Sequence, residues 1–420
     1  MKKIIATGAL VLAAVSANAA GFGIYEASAR GNAMGGALIG DSSDATANYY
    51  NPANIAFATN IQLAAGVSFI NPFCDIEVDH ERQTRMDPGW FTVPTFYATI
   101  PLPWDFAIGW GNYTEYGLGT HYAPGWALAA DTQQTTMEQI TMNPNLAWKA
   151  CDWMSVSAGL RASWISFENH KQPFNVLPAP FTPFATSAST RLKGEDWAFG
   201  WNAGLSIKPV KDVTVGLVYR SRIRHNIRGH FDYYGSLTPP LAAPTFNSTH
   251  GRASARLTLP DSLSLGVNWD VTKRYRVGLI ATWTHWSTVK EIDFRVAPMA
   301  TGGYRMPFHW KDTIRAGVGM EYDLFDWMSV RCGYTFDEDP SKKHLSTTML
   351  PAGDRHIIGS GLGFKITDSL RLDIGYSFIR MNNVHYNVTT NKDKLIEQTR
   401  RFSAHNGYSH IVSATLAYSF

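Results

Sequence analysis

Cysteine is scarce in this chain: Cys74, Cys151 and Cys332 are the full set in 420 residues. The number is odd, so at least one thiol stays unpaired in any intramolecular scheme. A disulfide scaffold is excluded, and without a Cys-x-x-Cys pair nothing points to a zinc or redox site. Charge is scarce too. Asp, Glu, Lys and Arg make up 17% of the residues, below the ~25% usual in soluble domains. Lys and Arg number 37 against 34 acids, a net charge of +3, too balanced for a nucleic-acid binder. Beyond residue 20 no apolar run reaches the ~20 residues that a membrane helix requires. Aromatics, by contrast, are plentiful at 13%, which excludes a disordered chain. What remains is a soluble β protein or a chain that hides its apolar residues in alternation.

The first residues have the form of an export signal. Lys2 and Lys3 precede a short apolar run, Ile4 to Val15, and Ala17-Asn18-Ala19 is an A-x-A cleavage site. Residues 1–19 are therefore expected to be removed.

Alternation gives the architecture. At the C-terminus Val412, Ala414, Leu416, Tyr418 and Phe420 share one face, and Ser413, Thr415 and Ser419 the other. This is the period of a β-strand. The same pattern recurs at 313–322, 328–336 and 370–378. Six turn-like strings punctuate the chain, near Pro103-Asp105, Ala150-Asp152, Lys208-Asp212, Val271-Arg274, Asp323-Asp326 and Lys365-Asp368. Stretches of 40–60 residues separate them, room for two strands and a long loop. Short connections on one side and long ones on the other mark an outer-membrane barrel rather than a sandwich. Six short turns joining strand pairs give fourteen strands, beginning near 61, 92, 105, 138, 153, 195, 213, 252, 275, 310, 327, 354, 369 and 407. The fold expected is all-β: a 14-stranded antiparallel transmembrane barrel over residues 59–420. Pro144 and Pro260 fall inside expected strands 4 and 8, where bulges are expected because proline cannot donate to the ladder.

Residues 20–58 precede the first strand. They are rich in Gly and Ala with interspersed Phe22, Ile24, Tyr25, Met34, Leu38, Tyr49 and Tyr50. Two readings stand here, a periplasmic tail and a plug folded into the lumen. A barrel this wide is not filled by its own side chains.

At this point the chain resembles a known family. The Gly-Phe start, Gly31 with Gly35-Gly36-Ala37, Asp41 with Asp44-Ala45, and Asn51-Pro52-Ala53 are similar to the N-terminal hatch of the FadL/TodX family. His309-Trp310-Lys311-Asp312-Thr313, Leu259-Pro260-Asp261-Ser262 and Trp283 with Trp286-Ser287 are similar too. The resemblance implies an outer-membrane channel for long-chain fatty acids or other hydrophobic molecules, in the outer membrane of a Gram-negative-type cell. It also implies a fourteen-stranded barrel with a lumenal hatch, a first ligand site between loops 3 and 4, and an inward kink in strand 3.

The residues suggest where a ligand would go. Loops 3 and 4, at about 169–194 and 232–250, are unusually apolar, and contiguous exposed apolar surface marks a binding site. Phe174, Phe181, Phe184, Tyr233, Leu241 and Phe246 are the candidates for a capture groove. Arg161, Arg220, Arg315 and Lys311 are candidates for a lumenal carboxylate site, because fixed positive charge in a narrow space favours an anion. Gly109 and Gly111 are candidates for the kink in strand 3, or else make room for the hatch. Neither Gly-x-Ser-x-Gly nor His-Glu-x-x-His occurs, so the chain is not expected to be an enzyme and no cofactor is expected. The expected partners are a fatty acid or hydrocarbon, outer-membrane lipid and lipopolysaccharide, and the barrel-assembly machinery, with the protein a monomer. A general aqueous porin and a loop-based receptor or adhesin are the alternatives.

Overall fold

A computed structural model describes residues 21–420, apart from Ser42 and residues 87–88, 173–184, 239–244, 298–301, 343–346 and 391–397. At several strand ends, Phe246 among them, only the backbone is described. The expected signal segment lies outside these residues.

The chain forms one closed antiparallel barrel of fourteen strands. Strand 1 is Gln62–Val78, strand 2 Glu81–Met86 with Phe91–Pro101, strand 3 Phe106–Tyr113 with Leu118–His121, strand 4 Gln134–Cys151 and strand 5 Met154–Lys171. Strand 6 is Ala185–Val210, strand 7 Val213–Arg220 with Ile223–Thr238, strand 8 Thr245–Leu259 with Ser262–Asp270, and strand 9 Tyr275–Thr284 with Glu291–Val296. Strand 10 is Gly303–Pro307 with Thr313–Phe325, strand 11 Met328–Asp337, strand 12 Arg355–Lys365, strand 13 Leu370–Met381 with Val384–Thr390, and strand 14 Gln398–Ser419. Strand 1 pairs with strand 14, Leu63 opposite Tyr418, and this pairing closes the cylinder.

Burial follows the alternation. Leu160, Phe199, Trp201, Leu279, Ile314 and Leu416 are exposed on the outer face, which suits lipid rather than water. Their neighbours Arg161, Asn202, Arg315 and Thr415 turn inward and are buried. Trp104, Trp153 and Trp327 project from the short turns, where an aromatic girdle belongs. The short connections fall where the turn strings placed them. Pro260 splits strand 8. Pro144 instead stays in register opposite Trp110 and causes no shift between strands 4 and 5.

Residues 21–58 contain two short helices, Ala29–Ala33 and Ala47–Tyr50, and a 3-10 helix, Pro52–Phe57. They bond to strands on every side of the barrel. Ala29 N–H donates to Thr415 Oγ1 at 2.9 Å, Tyr97 Oη to Ala27 O at 2.9 Å, Ser155 Oγ to Ala53 O at 2.8 Å, and Asn268 Nδ2 to Ala37 O at 2.9 Å. The helix Ala29–Ala33 approaches strands 12 and 13 so closely that a Cβ at Gly359 would lie 2.3 Å from Asn32 O.

An ion network ties the same segment to the wall. Arg30 binds Asp41 at 2.7 Å and Glu321 at 2.8 Å. Glu321 also pairs with Arg276 and Arg331, Arg331 continues to Asp373 at 2.7 Å, and Arg371 joins Asp373 to Asp44. The lumenal surplus of positive charge expected from the strands is therefore largely neutralised. Buried charges are kept only when paired.

Candidate functional site

The wall is interrupted between strands 2 and 3. Their ladder runs from Pro101 opposite Ala107 to Phe96 opposite Asn112 and stops there. Phe91 to Thr95 still pair with strand 1, but not with strand 3. Strand 3 breaks at Thr114–Gly117, and its second part, Leu118–His121, pairs with strand 4 alone.

Three contacts hold the break inward. Glu115 is buried and meets the Arg161 guanidinium, with Arg220 at 3.4 Å. Its backbone N–H donates to Gln139 Oε1 at 2.9 Å. The start of the described chain pairs with the broken segment: Ile24 N–H donates to Glu115 O at 2.8 Å, and Gly117 N–H to Phe22 O at 2.9 Å. Phe22 is anchored by Trp286 and Trp310, with ring centroids at 5.0 and 5.4 Å.

The break thus lies beyond Gly109 and Gly111, which remain regularly paired with Thr99 and Tyr97. A Cβ at Gly109 would lie 1.8 Å from Asn48 Oδ1 and 2.6 Å from Ile55 Cδ1. This glycine makes room for the N-terminal segment. It does not bend the strand.

Beside the break is a cavity of about 500 Å³, predominantly apolar. Inward residues Val93 and Gln139 line it, and so do their outward neighbours Pro94 and Ile140. The cavity is thus lined by residues from both faces of strands 2 and 4. Arg355 and Glu26 are the charged groups on its inner side. Arg355 binds Asp337 at 2.8 Å and donates to Gly23 O at 3.1 Å, while its buried Nε has no acceptor.

A second, small pocket of about 50 Å³ shares Gly23, Ile24 and Tyr116 with the first. Its lining is mixed: Arg220, Arg315, Glu115 and the hydroxyls of Ser262, Ser264, Thr282 and Thr284 beside Ile39, Ile280 and Trp286. Two buried donors here lack acceptors among the described residues, Arg315 Nε and Trp286 Nε1. Unsatisfied buried donors are rare and call for a partner. Arg315 lies 4.1 Å over the Tyr25 ring.

Of the four cations singled out in the sequence, Arg161 is committed to Glu115, with Arg220 beside it, and Lys311 to Glu338 at 2.6 Å. Arg161 and Lys311 thus each have a protein carboxylate beside them, while Arg161 Nε has no acceptor among the described residues. Arg315 has no carboxylate within ion-pair distance among the described residues. Phe174, Phe181, Phe184 and Leu241 lie outside those residues. Tyr233, half-buried, and Phe246 belong to strands 7 and 8, which continue as a ribbon to Thr238 and from Thr245, so they are not loop residues. Asn51 donates through Nδ2 to Leu205 O at 3.0 Å and starts the 3-10 helix at Pro52 and Ala53. Sequence reasoning missed Glu115, Trp286 as a pocket wall, and Arg355. Arg355 did stand at the expected start of strand 12, next to Asp354.

The model of the outer membrane protein transport proteins (OMPP1/FadL/TodX) matches residues 10–420. The chain belongs to this family. Outer membrane protein P1 of Haemophilus influenzae is 24% identical over 100% of this chain and 99% of its own length. The 47 kDa outer membrane protein of Pasteurella multocida is 27% identical, covering 89% and 90%. The long-chain fatty acid transport protein of Escherichia coli O6:H1 is 24% identical, covering 90% and 91%. Among solved structures, a Pseudomonas aeruginosa FadL homologue has a TM-score of 0.84 at 22% identity, covering 96% of this chain and all of its own. The Pseudomonas putida toluene transporter TodX has a TM-score of 0.73 at 17% identity, covering 94% and 99%. The family places the protein in the outer membrane, among transporters of hydrophobic compounds.

Proposed function

We propose that this protein takes up an amphipathic apolar molecule of the long-chain fatty acid type. The ligand is collected at the extracellular loops 3 and 4, held in the cavity beside strand 3, and released sideways through the gap between strands 2 and 3. Residues 20–58 act as the hatch that closes the pore to water. The observation that carries this reading is the apolar cavity lined by both faces of strands 2 and 4.

An apolar chain loses ~0.8 kcal/mol per CH₂ on passing from a dry site into water. Exit into the bilayer avoids that loss. The two adjoining pockets match a head and a tail. The large one takes the hydrocarbon, and the small one offers Arg315 Nε and Trp286 Nε1 to a carboxylate. Hydrogen bonds to a charged partner contribute ~1.5–3 kcal/mol. Arg355 Nε is a second donor along the path.

The test is uptake of labelled oleate and labelled toluene by a strain lacking the gene, with and without the gene restored, beside a small hydrophilic solute. Oleate uptake should depend on the gene and solute entry should not. Gene-dependent entry of the hydrophilic solute would favour an aqueous porin. Gene-dependent toluene uptake without oleate uptake would leave the arginines with structural roles only.

A further inference from the structure

Four arginines stand on the outer face of strands 7 and 8 without an ion pair among the described residues. Arg224, Arg228, Arg252 and Arg256 are all exposed, and none has a carboxylate within ion-pair distance among the described residues. Their neighbours differ: Arg222 is held by Asp261 at 3.1 Å and Arg295 by Asp293 at 3.4 Å.

The register makes the four a ladder. Arg224 stands opposite Thr258, Arg256 opposite Asn226, Arg228 opposite Ser254, and Arg252 opposite His230. The intervening His225, Ile227, Ala253, Ala255 and Leu257 are buried on the other face. Within the strand 7–8 pair, each arginine thus faces Thr258, Asn226, Ser254 or His230 directly and another arginine only on the diagonal. Like charges directly opposite would be destabilising, whereas diagonal neighbours lie ~7–8 Å apart. That spacing lets two planar guanidinium forks grip one phosphate between them. Two outward acids flank the ladder in register: Glu195 of strand 6 opposite Arg228, and Asp293 of strand 9 opposite Arg256. Asp293 is taken by Arg295 and Arg305.

Depth identifies the ligand. Just below the ladder, Tyr219 packs on Trp201 with ring centroids at 5.1 Å. Outward aromatics of this kind mark the edge of the hydrocarbon. Arg224 follows Tyr219 by five residues, about 16 Å along a strand at ~3.3 Å per residue, and less in height because barrel strands tilt. On strand 6 outward Trp197 and Phe199 are exposed two and four residues below Glu195, the partner of Arg228, so the aromatic edge reaches the level of Arg224 and the ladder climbs outward from it.

We propose that this ladder is a binding site for the phosphorylated headgroup of an outer-leaflet glycolipid. The lower guanidiniums, Arg224 and Arg256, take phosphate at the membrane surface. Arg228 and Arg252 take anionic groups carried further out on the sugar core. The site is on the barrel exterior and is independent of the transport pathway.

The experiment compares wild type with a variant carrying Arg224→Ser, Arg228→Ser, Arg252→Ser and Arg256→Ser. Both are extracted from outer membranes in mild detergent, and bound bis-phosphorylated lipid A is counted by native mass spectrometry. Binding to nanodiscs holding lipid A, or lipid A stripped of phosphate, is then titrated. The wild type should retain roughly tenfold more lipid A than the variant, a loss in line with removing several charge-assisted contacts. Stripped lipid A should bind the wild type as weakly as intact lipid A binds the variant. The corresponding Arg→Lys variant should recover part of the binding. Equal retention by wild type and the Ser variant overturns the proposal. So does a wild type that binds inorganic phosphate or a soluble polyanion but not lipid A. If the fourfold variant does not fold, as judged by heat-modifiable gel mobility, Arg224→Ser with Arg256→Ser alone should still halve lipid A retention, and no change there also refutes the site.

Discussion

At Arg315 a buried guanidinium has one ring beneath it, a carbonyl at 3.5 Å, and an Nε without an acceptor. Replacing it with Met keeps the bulk and removes the donor. Oleate binding should weaken about tenfold, while oleyl alcohol, which lacks the charge, should bind within about twofold of wild type. A fluorescent-probe displacement titration reads both, and equal losses for the two ligands would make Arg315 a packing residue.

A second prediction concerns the loop after strand 11. Burial pushes the Asp339 carboxyl up to about 7, against the opposing hydrogen bonds from Ser341, and burial likewise pushes Asp354 up to about 6. The folded loop thus binds protons more tightly than the unfolded chain, so its stability is greatest below the ordinary carboxylate range. It falls as pH rises from about 4 through about 7. Asp339→Asn should raise the melting temperature at pH 8 and flatten the slope between pH 5 and pH 8. A slope unchanged by the substitution would assign the dependence to other groups.

At the scale of elements, the segment before strand 1 carries the strongest expectation. Deleting residues 20–50 removes Arg30, Asp41 and Asp44 from the ion network and the Asn48 side chain from strand 2, where it donates to Ala98 O and Thr99 Oγ1 at 3.0 Å. Single-channel conductance in planar bilayers should rise well above that of the full chain. Unchanged conductance would mean that the segment does not close the pore. A milder test is Gly109→Val, which drives a side chain into Asn48 and Ile55. Overpacking of this kind costs about 1–3 kcal/mol, so unfolding in urea should shift to lower concentration.

The fourteen strands were legible because lipid and lumen impose period two on every membrane-crossing segment. Strands 6, 8 and 14 begin about seven to ten residues before the positions expected from the pattern. In the extensions of strands 6 and 14 only scattered inward residues are buried, Leu192, Phe402 and Ala404, and the outer face carries Arg191, Lys193 and Arg401, so no lipid-facing apolar row marks them in the sequence. The site was less legible. Glu115, Arg355 and Trp286 act through partners far away in sequence, and a lone charged or aromatic residue carries no local signal of that. The same blindness made Arg161 and Lys311 look free when each has a carboxylate beside it.

For the whole molecule, capture at the loops, an apolar cavity and a sideways exit form the proposed route. Changing three of Phe174, Phe181, Phe184, Tyr233, Leu241 and Phe246 to Ser removes about 1.5–3 kcal/mol of available burial per large side chain. Saturable binding of a fluorescent fatty acid should weaken at least roughly tenfold. Wild-type affinity would assign those residues to packing. The central claim is the exit itself. In a background lacking Cys74, Cys151 and Cys332, cysteines at Pro94 and Thr114 flank the gap between strands 2 and 3, and both positions line the cavity. Joining them with a short cleavable bifunctional thiol reagent should leave fatty-acid binding intact, lower the rate of labelled oleate uptake about tenfold, and restore it on cleavage, as expected if the lateral route avoids the cost of crossing water. Uptake at the uncross-linked rate with the bridge in place would contradict the account.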